Sequence, residues 1–112
     1  MLFDARTVRS GEWEVVRVIG EVDLATMPAL RTELDRTDGT LVALDLGDAD
    51  LFDPLAFGVV IAAALRSSRR GATFAVVCPP GRPRDLFTES GVDRIVAVVD
   101  SGFDTGHTDL QR

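Results

Sequence analysis

The run Leu41-Val42-Ala43-Leu44-Asp45-Leu46 constrains this chain more than any other stretch, because only Asp45 interrupts it. A strand with no polar face to offer water must be covered on both sides, as in the centre of a parallel sheet. Parallel neighbours need crossover connections, usually helices. The chain provides them. Val59 to Arg70 has a long apolar helical pattern and leads to a second apolar strand, Ala72 to Cys78. A short helix, Arg84 to Ser90, leads to a third, Ile95 to Val99. Upstream, Leu2–Arg9 and Trp13–Ile19 are rich in β-branched residues and flank Ser10-Gly11, which predicts an antiparallel hairpin.

Between that hairpin and Leu41, Ala29, Leu30, Leu34 and Thr37 recur at helical spacing. Thr26 is the expected N-cap, Pro28 lies in the first turn and Asp38-Gly39 stops the helix. Asp48-Ala49-Asp50 reads as a loop. Arg66, Arg69, Arg70 and Gly71 are stop signals for the long helix, and Gly91 for the short one. The order is β-β-α-β-α-β-α-β. It predicts an α/β domain with a mixed, mostly parallel sheet, crossover helices and the first strand at or near an edge. Residues 1–100 form this single domain. Residues 101–112 are polar and aperiodic, and are expected to be a flexible tail.

Composition removes several functions. The net charge is -6, which opposes binding to nucleic acid or to an anionic membrane surface. All 12 basic residues are arginines, so lysine chemistry is excluded. The longest uncharged apolar run, Pro54 to Leu65, is short of the roughly 20 residues that span a bilayer. No secretory leader precedes Asp4 and Arg6, so a cytoplasmic location is expected. Cys78, alone of its kind, ends a strand and is expected to be a buried structural thiol. His107 is a lone histidine in the tail and receives no role. With no tyrosine, no lysine and no visible pairing of nucleophile and base, the chain is not expected to be an enzyme or to carry a cofactor or metal.

The candidate functional stretch is Asp53-Pro54-Leu55-Ala56-Phe57-Gly58, between the central strand and the long helix. Asp53 precedes proline, so its backbone is biased away from the helical region, as an N-cap requires, and Pro54 fits the first helical position. Asp53 is therefore either a plain helix cap or part of a contact surface. Leu55 and Phe57 lie two apart and cannot share a helix face, which leaves a docking patch and plain core both open. Asp23, Asp48, Asp50 and Asp53 are either an acidic rim or solvated loop carboxylates. Their spacing matches no metal motif.

Three blocks carry a family resemblance. Gly20-Glu21-Val22-Asp23-Leu24-Ala25-Thr26 resembles the G-E-L-D-x-x-T signature of STAS domains, typified by anti-sigma factor antagonists. Leu44-Asp45-Leu46, Phe52-Asp53 and Gly58-Val59 resemble the L-D-L … D-S-S-G-L-G-V block. Ser90-Gly91-Val92-Asp93-Arg94-Ile95 resembles the T-G-L-x-x-L ending. The likeness spans about Val15 to Val98.

The resemblance implies a protein-binding regulatory module whose partner is an anti-sigma factor kinase or another STAS-type protein, with no nucleic acid and no membrane insertion. A homodimer is compatible with it. Asp23 and the stretch Asp53, Pro54, Leu55, Ala56, Phe57 and Gly58 are the implied contact residues. In the family the second serine of D-S-S-G is phosphorylated, and Leu55 takes that place here. No serine or threonine lies between Thr40 and Ser67 to substitute for it. The alternatives are an accessory subunit of an ABC-type membrane transport system and a scaffold in a signalling complex.

Overall fold

The structure is a computed structural model that describes residues 2–100. The tail expected over residues 101–112 lies outside the described residues. The sheet has five strands in the order β1 (Phe3–Ser10), β2 (Trp13–Val22), β3 (Leu41–Phe52), β4 (Thr73–Val77) and β5 (Ala97–Val99). β1 pairs antiparallel with β2 at one edge, and every other pairing is parallel. Spatial order equals sequence order: an antiparallel hairpin is followed by crossovers that each add a parallel strand on the same side. The helices are α1 (Met27–Asp35), α2 (Phe57–Arg69) and α3 (Arg82–Ser90). The expected α/β class, the mixed sheet and the edge position of β1 are all present.

The main core forms where inward residues of the strands (Val16, Val18, Leu44, Leu46, Val76) meet Leu30 and Leu34 of α1, Val60 and Ala63 of α2, and Phe87 of α3. Arg66 joins α2 to the end of α1. Its guanidinium donates to the Leu34 carbonyl, to the Thr37 carbonyl at 3.2 Å and to the Thr37 hydroxyl at 3.0 Å. These acceptors belong to a helix C-terminus, whose last carbonyls lack helical partners.

Several boundaries differ from the sequence expectation. β3 continues through Asp48-Ala49-Asp50, which is not a loop, as far as Phe52. The reason is a pair of bulges. Arg17 and Ile19 face Asp45 and Asp48, and Gly20 and Glu21 face Ala49 and Leu51, so β3 gains a residue at each shift. The Asp45 carboxylate accepts from the Gly47 N–H at 2.8 Å and holds the first bulge. The bulges let Ala49 pack on the core while Asp48 and Asp50 stay exposed. β2 likewise runs on through Gly20-Glu21-Val22. The last strand starts at Ala97, because a 3-10 turn over Val92–Arg94 occupies the approach and leaves Ile95 exposed.

Cys78 is buried at the end of β4, as expected. Burial is the main cause that pushes its thiol up to about 11. Asp45 and Asp100 act in the same direction and Arg84 opposes them. Between the ordinary value of 9.0 and about 11 the unfolded chain loses this proton while the folded chain keeps it. Stability linked to Cys78 is therefore fully present below pH 9 and is lost as pH rises through that window. Urea midpoints of the parent and of Cys78→Ala, compared across it, should converge as pH rises. A constant gap would contradict the burial of the thiol.

Candidate functional site

The site lies at the carboxyl ends of β2 and β3, where two aspartates close two adjacent turns. After β2, the Asp23 carboxylate accepts from the Ala25 and Thr26 N–H groups, each at 3.0 Å. The Thr26 hydroxyl accepts from the Asp23 N–H at 2.9 Å and donates to the Glu21 carbonyl at 2.8 Å. Thr26 is the cap that the sequence predicts for α1, but its side chain makes no cap bond to the helix. It instead locks the turn that delivers the chain into α1, so the D-x-x-T spacing is the spacing of a closed turn.

After β3, Asp53 is extended (φ -68, ψ 131) and its carboxylate accepts from the Leu55 N–H at 2.9 Å. Pro54 follows at the first position of a 3-10 turn, Pro54–Ala56, that leads into α2. This is the cap expected from the Asp-Pro pair. The Asp53 N–H donates to the Val22 carbonyl at 2.8 Å and ties the two turns together.

The side chains of the stretch then diverge. Ala56 is fully buried and Phe57 is 8% exposed, whereas Leu55 between Pro54 and Ala56 is 63% exposed. Phe57 packs in a cluster with Phe52 and Phe87, at ring-centroid distances of 5.4 Å and 4.9 Å. Of the two readings left open, Phe57 is core and Leu55 is surface. Gly58 is exposed, and a Cβ there would meet nothing within 4 Å. Its backbone does not need glycine for fit, although glycine in a helix costs about 1 kcal/mol relative to alanine.

Two further leucines near these strand ends are exposed. Leu24, in the Asp23 turn, is 66% exposed, and Leu51, near the end of β3, is 46% exposed. Sequence reasoning singles out neither. The legible signal is their position beside the two aspartate turns. Leu51 also lines an open concavity of about 290 Å³, with Asp50, Phe52, Asp53 and Pro54 and with Pro83 and Leu86 of α3. The four aspartates do not converge: among the described residues no three His, Cys, Asp or Glu side chains could hold a metal ion. Nor is any helix among them long and apolar enough to cross a membrane. His107 lies outside the described residues.

No curated protein matches the chain. Solved structures do. An anti-sigma factor antagonist from Mycobacterium paratuberculosis superposes with a TM-score of 0.82 at 19% identity, covering 94% of this chain and 91% of that one. The phosphorylated form of the Bacillus cell fate determinant SpoIIAA gives 0.63 at 17% identity, covering 89% and 93%. A sulfate transporter family protein from Wolinella succinogenes gives 0.69 at 14% identity, covering 83% and 80%. At these identities the likeness is one of fold. The profile described as "Mlab, STAS domain" matches residues 5–99, nearly the whole described chain, and on that match the chain belongs to the STAS domain family.

Proposed function

We propose that this chain is a protein-binding regulatory module of the anti-sigma factor antagonist kind, and that its partner docks on the carboxyl ends of β2 and β3. The supporting observation is Leu55, an exposed leucine that lies between the Asp53 cap and two core residues, Ala56 and Phe57, with Leu24 and Leu51 exposed near the carboxyl ends of the same two strands. A fixed apolar group loses little entropy on being covered, which favours its use as an anchor. Asp23, Asp53, Pro54 and Gly58 frame it. Ala56 and Phe57 act from beneath by fixing the turn. The partner is a kinase-type anti-sigma factor or another STAS-type protein.

Phosphorylation reverses such a complex when the anchor position carries a hydroxyl. Leu55 carries none, and the residues from 41 to 66 include no serine or threonine. The surface is thus a contact without its own off switch, and it needs no catalytic group.

Leu55→Asp should weaken the complex with the cognate anti-sigma factor at least about tenfold, or about 1.4 kcal/mol, in titration calorimetry, with the unfolding midpoint unchanged. Undiminished binding of the variant would overturn the proposal. A second reading, an accessory subunit that docks on the ATPase of a membrane transport system, draws support from the likeness to the sulfate transporter family protein. Co-purification with a transport ATPase instead of a kinase would select it.

A further inference from the structure

The two edges of the sheet differ. β5 has three residues, and a short edge strand is one way a sheet avoids pairing with another chain. β1 has eight residues, with no proline, no glycine and an unbroken register against β2 from Phe3 to Ser10. Among the described residues its sheet neighbour is β2 alone. The Leu2 carbonyl points at β2, where it accepts from the Glu21 N–H. Backbone groups alternate in direction along an antiparallel strand, so those of Phe3, Ala5 and Thr7 point to the open side. A long, regular edge with outward donors and acceptors is a template for one more strand.

We propose that the strand it takes up is β1 of a second copy, antiparallel, with the two-fold axis at Ala5. Successive side chains point to opposite faces, so the two sheets keep their faces aligned only if the axis passes through a residue. That residue then meets its own copy. Axes at Asp4, Arg6 or Arg9 set like charges against each other, which destabilises a strand pair. Axes at Phe3, Thr7 or Val8 leave Asp4 and Arg6 without an opposite charge across the seam. The axis at Ala5 sets Asp4 of each copy against Arg6 of the other. These two side chains already lie on one face of β1 and reach each other at 2.9 Å, with Arg6 71% exposed. The same axis sets Leu2, 65% exposed, against Val8 of the other copy. Ala5 exchanges both backbone bonds with its copy, and Phe3 exchanges its bonds with Thr7. Across the seam, β2 and β3 of one copy run opposite to those of the other. Their carboxyl ends therefore lie at opposite ends of the joined sheet, and the dimer presents two separate docking surfaces.

Sedimentation equilibrium of the full chain from micromolar to millimolar concentration should show a monomer–dimer equilibrium. Arg6→Asp and Asp4→Arg, each alone, set like charges across the seam and should weaken the dimer about tenfold or more. Mixed in equal amounts, the two variants restore opposite charges across the seam, while neither chain regains its own Asp4–Arg6 pair. The mixture should dimerise at least as tightly as the parent. In the parent, amide exchange at Phe3, Ala5 and Thr7 should slow as concentration rises, and exchange at Asp4 and Arg6, which face β2, should not. A parent that stays monomeric at millimolar concentration overturns the proposal. So does a mixture that associates no better than either variant alone, or concentration-dependent protection that falls on other residues. If a variant fails to fold by circular dichroism, the exchange pattern of the parent decides.

Discussion

Phe87→Ala is expected to destabilise the domain by about 3–5 kcal/mol, the range for truncating a buried aromatic side chain. Phe87 is fully buried. It packs tilted against Phe52 at 5.4 Å and meets Phe57 nearly edge-on at 4.9 Å, interplanar angle 66°. Phe52 is the last residue of β3 and Phe57 the first of α2, so the cluster clamps both sides of the Asp53–Ala56 turn from below. The cavity left by alanine would therefore loosen the support of Leu55 as well as the core. Urea denaturation measures the first effect, and amide exchange at Leu55 and Ala56 the second. Phe87→Leu, which refills much of the volume, should recover more than half of the loss. A loss below about 1 kcal/mol for the alanine variant would mean that the site collapses around the gap, against the spread expected for well-packed interiors.

Local chemistry is legible in the sequence wherever one residue's covalent nature decides its place. Asp53-Pro54 announces a cap because proline restricts the residue before it, and the cap is there. Gly91 announces a helix end and adopts the left-handed conformation, φ 81. The parallel sheet follows from unbroken apolar runs. What depends on partners distant in the chain is less visible. Asp48-Ala49-Asp50 looks like a loop because two aspartates break the run, and only the register with β2 shows bulges carrying the strand through. Thr26 does not cap α1 because a closed turn with Asp23 competes with the helix for the same hydroxyl. Leu55 and Phe57 cannot be told apart from spacing, since their fates depend on α3, whose Phe87 fills the space against Phe57. Leu24 and Leu51 escape notice as surface for the same reason: exposure is a property of the assembled strand ends.

Gly20→Ala should cost about 3 kcal/mol, combining about 1–2 for a left-handed backbone with about 1–3 for overpacking. Gly20 has φ +94, and a Cβ built on it would lie 2.0 Å from the Leu2 carbonyl oxygen. That oxygen is not free to retreat, because it accepts from the Glu21 N–H at 3.0 Å and so helps to hold the start of β1 against β2. Alanine must either force Gly20's segment out of the left-handed region or break the Leu2–Glu21 bond and peel the edge strand. Both responses act at the second register shift of β2 against β3, between Gly20 and Glu21, and three residues from Asp23. The Asp23 turn should move with them. The G-E-V-D block therefore has a physical reading: glycine lets β1 approach, and aspartate closes the turn that presents Leu24. Thermal denaturation of Gly20→Ala should show the loss, and faster amide exchange at Phe3, Glu21 and Ala25 should locate it. By contrast, Gly58→Ala, where a Cβ meets open space, should leave stability unchanged or raise it by about 1 kcal/mol. If Gly20→Ala proved as benign as Gly58→Ala, the close approach of β1 would not be what this glycine serves.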